Sequence, residues 1–373
     1  MIDYLIVGCG IYGATIARLL TDSGKRCLII DRRDHIGGNI YTYKFGEIDV
    51  HKYGPHTFHT SNQEVIDFVT KYSEWIPFEL NIIAKNGKKI YHLPFNMTTF
   101  YDIFGVNNPQ EAFDIIEKEI EESGLKDKEP RNLEEQAIKL VGKTIYETLI
   151  KGYTEKQWNC DCKDLSSEII KRLPLRFYFN NSYFNDTFQA IPKNGYTEFV
   201  KNIIDGIPLL LNTEFKYEEW DGKAKNIIFC GAVDELLDYE LGELKWRSLT
   251  FEDKIFEYNG HNGQGMPILN LVSKEERGTR IVEHMWFNKA VAQNVKQSIQ
   301  TLEIPTDWHK GLERYYAVNN KNSEELYERY KALLMERMPN VILGGRLGKY
   351  RYFDMDDAIY EAINDANNIL LKK

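Results

Sequence analysis

The sequence predicts an α/β protein in which a parallel sheet is joined to an inserted helical module and to an antiparallel sheet. Three observations predict it. The first forty residues read strand, glycine turn, helix, strand; the stretch 96–164 has helical periodicity and capping signals; and the segments 78–93 and 246–286 alternate as strands do.

The amino-terminal unit carries the most information. An apolar run, Tyr4 to Val7, leads into Gly8-Cys9-Gly10-Ile11-Tyr12-Gly13, an Ala/Ile/Leu-patterned helix follows to Leu20, and a second apolar run, Cys27 to Ile30, ends at Asp31. In a dinucleotide-binding βαβ unit each position has a physical task. Gly8 permits the sharp turn, Gly10 lets backbone N–H groups approach a pyrophosphate at the helix N-terminus, and Gly13 lets helix and strand pack closely. Asp31, at the tip of the second strand, can accept hydrogen bonds from a ribose diol. Next come Arg32-Arg33-Asp34-His35-Ile36-Gly37-Gly38-Asn39, a basic pair and a double glycine. That arrangement resembles flavin enzymes of the glutathione-reductase type, in which the Gly-Gly backbone lies against the FAD diphosphate or flavin.

Composition limits the alternatives. A chain of 373 residues predicts two or three domains. A net charge of −9 argues against nucleic acid or an anionic membrane as partner, so an anionic substrate must be held by a local arginine cluster. The first strand starts at the second or third residue and no apolar run reaches transmembrane length, which predicts a cytoplasmic protein without membrane insertion. Five cysteines, an odd count, give no disulfide framework, and the lone Cys160-Asp161-Cys162 predicts no zinc.

Along the chain, Lys52 to Thr60 is dense in histidine and aromatics and predicts a loop, in which His56 or His59 can face a cofactor. Ser61 to Glu64 is a capping box opening a helix to about Tyr72. Phe78–Lys85 and Lys88–Leu93, split by Asn86-Gly87, predict a hairpin. Asn108 with Pro109, closed by Gly124, bounds one helix, and Asn132 with Glu135 opens the next. The module ends in Lys151-Gly152-Tyr153-Thr154-Glu155-Lys156-Gln157-Trp158, a cluster able to clamp a base. Lys171 to Phe179 is basic, aromatic and interrupted by proline, a candidate lid with Arg172 at its tip. Residues 226–234 predict a buried strand returning to the first domain. Trp246–Tyr258, Ile268–Ser273 and Arg280–Trp286 predict antiparallel strands that complete the sheet of the 78–93 hairpin. Val341 to Leu347 predicts a last buried strand, and Tyr350 to Met355 leads into the terminal helix, whose N-terminus can stabilise negative charge on a flavin.

Taken together, GCGIYG, HIGGN at 35–39, HKYGPHTFHT at 51–60, LPFNM at 93–97, NLEEQAIKLVG at 132–142, IKGYTEKQW at 150–158, KRLPLRF at 171–177, TRIVEH at 279–284, GGRL and RYFDM resemble the bacterial UDP-galactopyranose mutase family over essentially the whole chain. The resemblance implies a Rossmann-like FAD-binding domain of glutathione-reductase type (1–75, 190–240 and 338–373), an inserted helical domain (96–165) and an antiparallel sheet domain (76–95, 166–189 and 241–337). It implies an isomerase that interconverts UDP-galactopyranose and UDP-galactofuranose with no net redox change, through a flavin N5–sugar adduct, with FAD active in its reduced form. A homodimer serving cell-surface polysaccharide biosynthesis is expected.

By the same resemblance Arg172, Arg280, His59 and Asp354 are catalytic. Tyr153, Trp158, Tyr183, Tyr316 and Tyr352 join the two arginines in binding substrate. Gly8, Gly10, Gly13, Asp31, Arg32, Gly38, Asn39, His56, Arg346, Asp354 and Met355 bind the cofactor, and no metal is expected. Guanidinium forks suit a diphosphate leaving group better than lysines do. Three positions depart from the family pattern: Phe353 stands for a tyrosine, Asn159 for the glycine after the tryptophan, and Ala317 for a proline. Two rival readings keep the nucleotide domain: an FAD-dependent amine oxidase or desaturase, and a non-catalytic escort protein. An oxidase consumes an electron acceptor, and an escort protein is colourless.

Overall fold

A computed structural model describes residues 1–170 and 174–371. Ile2–Val7 is the centre of a five-stranded, wholly parallel sheet whose order is Leu209–Leu210, Cys27–Ile30, Ile2–Val7, Ala224–Phe229, Val341–Leu343. Its central strands are apolar runs because a parallel sheet is covered on both faces, and Leu5, Ile6, Ile29, Ile227 and Ile228 are fully buried. The helix Ile11–Asp22 covers one face through Ala14, Ile16, Ala17 and Leu20, and the terminal helix Met355–Leu371 packs on it. The last strand, expected to be buried, is only half-buried because it is the sheet's edge.

A second sheet has seven strands in the order Tyr316–Ala317, Trp246–Glu257, Gln297–Asp307, Arg280–Glu283, Ile268–Leu271, Ile82–Asn86, Lys89–Leu93. The 78–93 hairpin thus joins the 246–286 strands as expected. Two corrections follow. The sheet is not purely antiparallel, because Ile82–Asn86 runs parallel to Ile268–Leu271. Its longest pairing partner, Gln297–Asp307, was not expected: its inward positions 299, 301 and 303 are Ile, Thr and Glu, so apolar alternation is absent. A third correction concerns the expected loop at 52–60, where Phe58–Thr60 is a strand that pairs with Phe188–Pro192 in a small three-stranded sheet.

The helical module comprises Met97–Phe104, Pro109–Ser123 and Leu133–Ile145, with Asn96, Asn108 and Asn132 capping the three helices through their side chains. Gly142, at φ 78°, breaks the third helix, and a side chain there would lie 2.5 Å from Glu119 Oε2. Beyond that break the chain passes through a wide turn, Tyr146–Ile150, into the helix Lys151–Trp158, which lies against the seven-stranded sheet. The left-handed residue that ends it is Asn159, at φ 53°.

Candidate active site

The glycine turn has the features that its spacing predicts. Gly8 has φ 109°, and a Cβ on Gly13 would sit 2.0 Å from the Gly8 carbonyl oxygen. Gly10 and Gly38 face each other backbone to backbone, since a Cβ on Gly38 would meet Gly10 Cα at 2.9 Å. No side chain caps the helix at Gly10, so its first N–H groups are open to an anion. Asp31 is buried and accepts from the N–H groups of Cys9 (2.7 Å) and Arg33 (2.9 Å). Each carboxylate oxygen keeps a lone pair for a further donor.

The two basic residues after the strand separate. Arg32 is half-exposed and pairs with Glu235 and Glu313, whereas Arg33 is largely buried, pairs with Glu313 at 2.6 Å, donates to Asn39 Oδ1 at 2.9 Å and lies over the Tyr53 ring. Arg32 was the expected cofactor residue and Arg33 is the buried one; which of an adjacent pair turns inward is not readable from the sequence.

Arg280 begins its strand directly opposite Glu303 and donates from Nε to Glu303 Oε1 at 2.9 Å. Burial pushes the Glu303 carboxyl up while Arg280 pulls it down, and burial opposes the Arg280 cation while Glu303 holds it charged. The terminal guanidinium nitrogens have no protein partner among the described residues. Tyr153, Tyr183 and Tyr316 lie within electrostatic reach of that guanidinium. Burial pushes the phenols of Tyr183 and Tyr316 up to about 12 and raises Tyr153 too, so all three are neutral donors at pH 7.

Other expected residues extend this cluster. Tyr316 stacks on Tyr352, with ring centroids 6.0 Å apart, and lies 6.3 Å from Trp158. Tyr352 donates to Asp354 Oδ1 at 2.8 Å, and Met355 opens the terminal helix just beyond. Arg346, on the short helix Gly345–Gly348, makes no side-chain hydrogen bond or ion pair among the described residues, yet its charge acts on Tyr316, Tyr352 and His56. Burial, with Arg346 adding, pushes the His56 imidazole down to about 4. Its Nδ1 lies 2.8 Å from the Gly54 carbonyl, so Nδ1 carries the proton and Nε2 is an acceptor.

His59 is one layer away. It pairs through Nδ1 with Asp186 at 2.9 Å and stacks at 3.5 Å on Phe184, whose edge meets Tyr183. Arg172 lies outside the described residues. Of the three departures, Phe353 is buried in the core, Ala317 is paired with Trp246 at the sheet edge, and Asn159 adds a 3.0 Å hydrogen bond to Asp307.

Two residues that sequence reasoning missed belong to this ring. Glu303 holds Arg280, and the half-buried Asn270, opposite Arg280 on the neighbouring strand, has a buried Oδ1 without a partner among the described residues. The unexpected strand concealed the first. An amide in the middle of a predicted strand was the signal for the second.

A family model described as UDP-galactopyranose mutase matches residues 148–352, and one for an NAD(P)-binding Rossmann-like domain matches residues 6–72. The chain is 38% identical to a probable UDP-galactopyranose mutase of Klebsiella pneumoniae, covering 99% of this chain and 94% of that one. It is 35% identical to a dTDP-fucopyranose mutase of Escherichia coli, covering 97% of each. The crystal structure of a reduced UDP-galactopyranose mutase shares the fold with a TM-score of 0.77 at 16% identity, over 100% of this chain and 94% of that one. With its arginine–tyrosine cluster set beside a dinucleotide-binding turn, and with this likeness along its length, the chain belongs to the UDP-galactopyranose mutase family.

Proposed function

We propose that this protein is a flavin-dependent isomerase that interconverts UDP-galactopyranose and UDP-galactofuranose. The observation that carries the reading is the Arg280 fork, backed by Glu303 and ringed by Tyr153, Tyr183 and Tyr316. A fork with free N–H groups beside neutral phenols is suited to a diphosphate that departs and returns.

The residues present fit FAD. The Gly10–Gly38 slot and the uncapped helix end suit its diphosphate, and Asp31 its ribose. Arg32, Asn39, His56, Arg346, Asp354 and Met355 complete the proposed cofactor set. When bound and reduced, FAD would supply a nucleophile for the anomeric carbon. The protein's own part is to bind, orient and balance charge. Arg280 neutralises the leaving diphosphate, and Arg172 is proposed to share that role. Tyr153 and Trp158 hold the uridine end, Tyr183 and Tyr316 donate to phosphate oxygens, and Tyr352, whose hydroxyl proton goes to Asp354, completes the substrate set beside Tyr316. His56, neutral at pH 7, presents Nε2 as an acceptor, and its Nδ1–H donates to the Gly54 carbonyl. His59 and Asp354 are proposed to act at the sugar and flavin.

The division into an FAD domain, a helical domain and a sheet domain is proposed with the boundaries given above, and the separate parallel and mixed sheets support it. Cytoplasmic location, a homodimer and a role in polysaccharide biosynthesis rest on the family resemblance. No helix among the described residues is long and apolar enough to cross a membrane.

The test is turnover by purified protein with and without dithionite. UDP-galactopyranose should convert only after reduction, by protein that is yellow before it. Conversion that consumes an electron acceptor would indicate an oxidase, and protein unable to retain FAD would indicate an escort role. UDP-N-acetylgalactosamine and dTDP-fucopyranose belong in the same assay. The Escherichia coli relative makes the second an explicit rival substrate within the isomerase class.

A further inference from the structure

We propose that Lys156 is a positioning residue for the uridine-diphosphate end of the site: its ammonium clips the helix that carries Tyr153 and Trp158 to the turn that delivers Arg280. The proposal rests on the mutase reading and adds to it. Lys156 Nζ donates to three backbone carbonyls, Gly278 at 2.7 Å, Leu271 at 2.8 Å and Glu276 at 3.2 Å. An ammonium has three N–H donors, and three carbonyls satisfy it completely. Leu271 ends one strand and Gly278 lies two residues before Arg280, so the clip closes the whole 271–279 turn.

The contacts around it agree. A side chain on Gly152 would lie 2.3 Å from the Val272 carbonyl oxygen, so the helix sits directly on the turn. Glu155 pairs with Lys274 one residue before the clip. Behind the helix, Arg247 donates from Nε to the Gln157 carbonyl at 2.8 Å. Lys156 is three residues after Tyr153, on the same helical face. Tyr153 and Arg280, which act on each other electrostatically, are therefore held in register by one side chain.

A half-buried cation held by neutral carbonyls gives up its proton more readily than an exposed lysine, and burial pushes Lys156 down to about 8, which still leaves it an ammonium at pH 7. The charges that face it are each engaged elsewhere: Glu276 with Lys85, Glu155 with Lys274, Arg247 with Asp307.

The experiment measures UDP affinity of the FAD-loaded protein by Trp fluorescence, together with FAD content. Lys156→Met should weaken UDP binding about tenfold with FAD content unchanged, and Lys156→Arg, which keeps charge and donors, should return to within about threefold of the parent. Parental affinity in Lys156→Met overturns the proposal, and so does an equal loss in both variants. A reading that needs no variant is the pH profile of the parent protein. Affinity should fall as pH rises through about 8, when one of the three donors is lost, and a flat profile overturns the proposal. A parent protein that does not bind UDP at all would sink the mutase reading instead.

Discussion

Arg280 gives one N–H to Glu303, and the rest of its fork, within electrostatic reach of three phenols, has no partner among the described residues. Its removal therefore has two separable consequences. Arg280→Ala should lower kcat/KM for the UDP-sugar by about a hundredfold or more while FAD remains bound, because transition-state charge on the diphosphate loses its partner. It also leaves Glu303, 1% exposed, without a counter-charge, at a stability cost of about 3–5 kcal/mol. Arg280→Lys keeps the charge and loses the fork, so it should recover the melting temperature and leave most of the activity deficit. Full activity in either variant would remove the guanidinium from the reaction. At this scale the sequence exposed the arginine, through a motif, and concealed the glutamate. Nothing local marks a carboxylate as the partner of a residue twenty-three positions earlier.

Among the elements, the helix Lys151–Trp158 shows how one backbone conformation fixes a site. It must stop at Trp158 so that the ring faces Tyr316, and the stop is a left-handed residue. Asn tolerates φ 53° better than other side chains do, and its amide reaches Asp307. Asn159→Val should cost about 1–2 kcal/mol in chemical denaturation, because a β-branched residue is strained there, whereas Asn159→Gly should stay within about 0.5 kcal/mol. A neutral valine variant would show that the helix end relaxes. The caps Asn108 and Asn132 were readable because capping is local chemistry; the strand Gln297–Asp307 was not, because its inward Thr301 and Glu303 are defined by partners on other strands.

Across the molecule, three histidines, the buried His51 and His284 and the partly buried His56, form a linked set between the antiparallel pair Thr42–Phe45 and Ile48–His51 and the seven-stranded sheet. The backbone N–H of His56 donates to His51 Nδ1, the backbone N–H of His51 to His284 Nδ1, and His284 Nε2 meets Thr301, which donates to Asp253. Burial pushes all three down, His56 to about 4 and His284 to about 3. Their folded values lie below the unfolded value of 6.5, so the unfolded chain takes up protons first as pH falls. Stability is complete above about 6.5 and is lost progressively toward 4, by about 3 kcal/mol from His56 alone. The melting temperature should fall steadily from pH 7 to pH 4.5; constancy over that range would contradict neutral burial. The sequence by itself determined the nucleotide turn, the helix ends and the hairpin, and its motifs pointed to the family, because each depends on residues a few positions apart. Only the tertiary structure decided which of Arg32 and Arg33 turns inward, that Glu303 stands behind Arg280, and that Lys156 closes the turn before it. Burial and charge pairing at those positions arise between segments that meet only when the sheets are assembled.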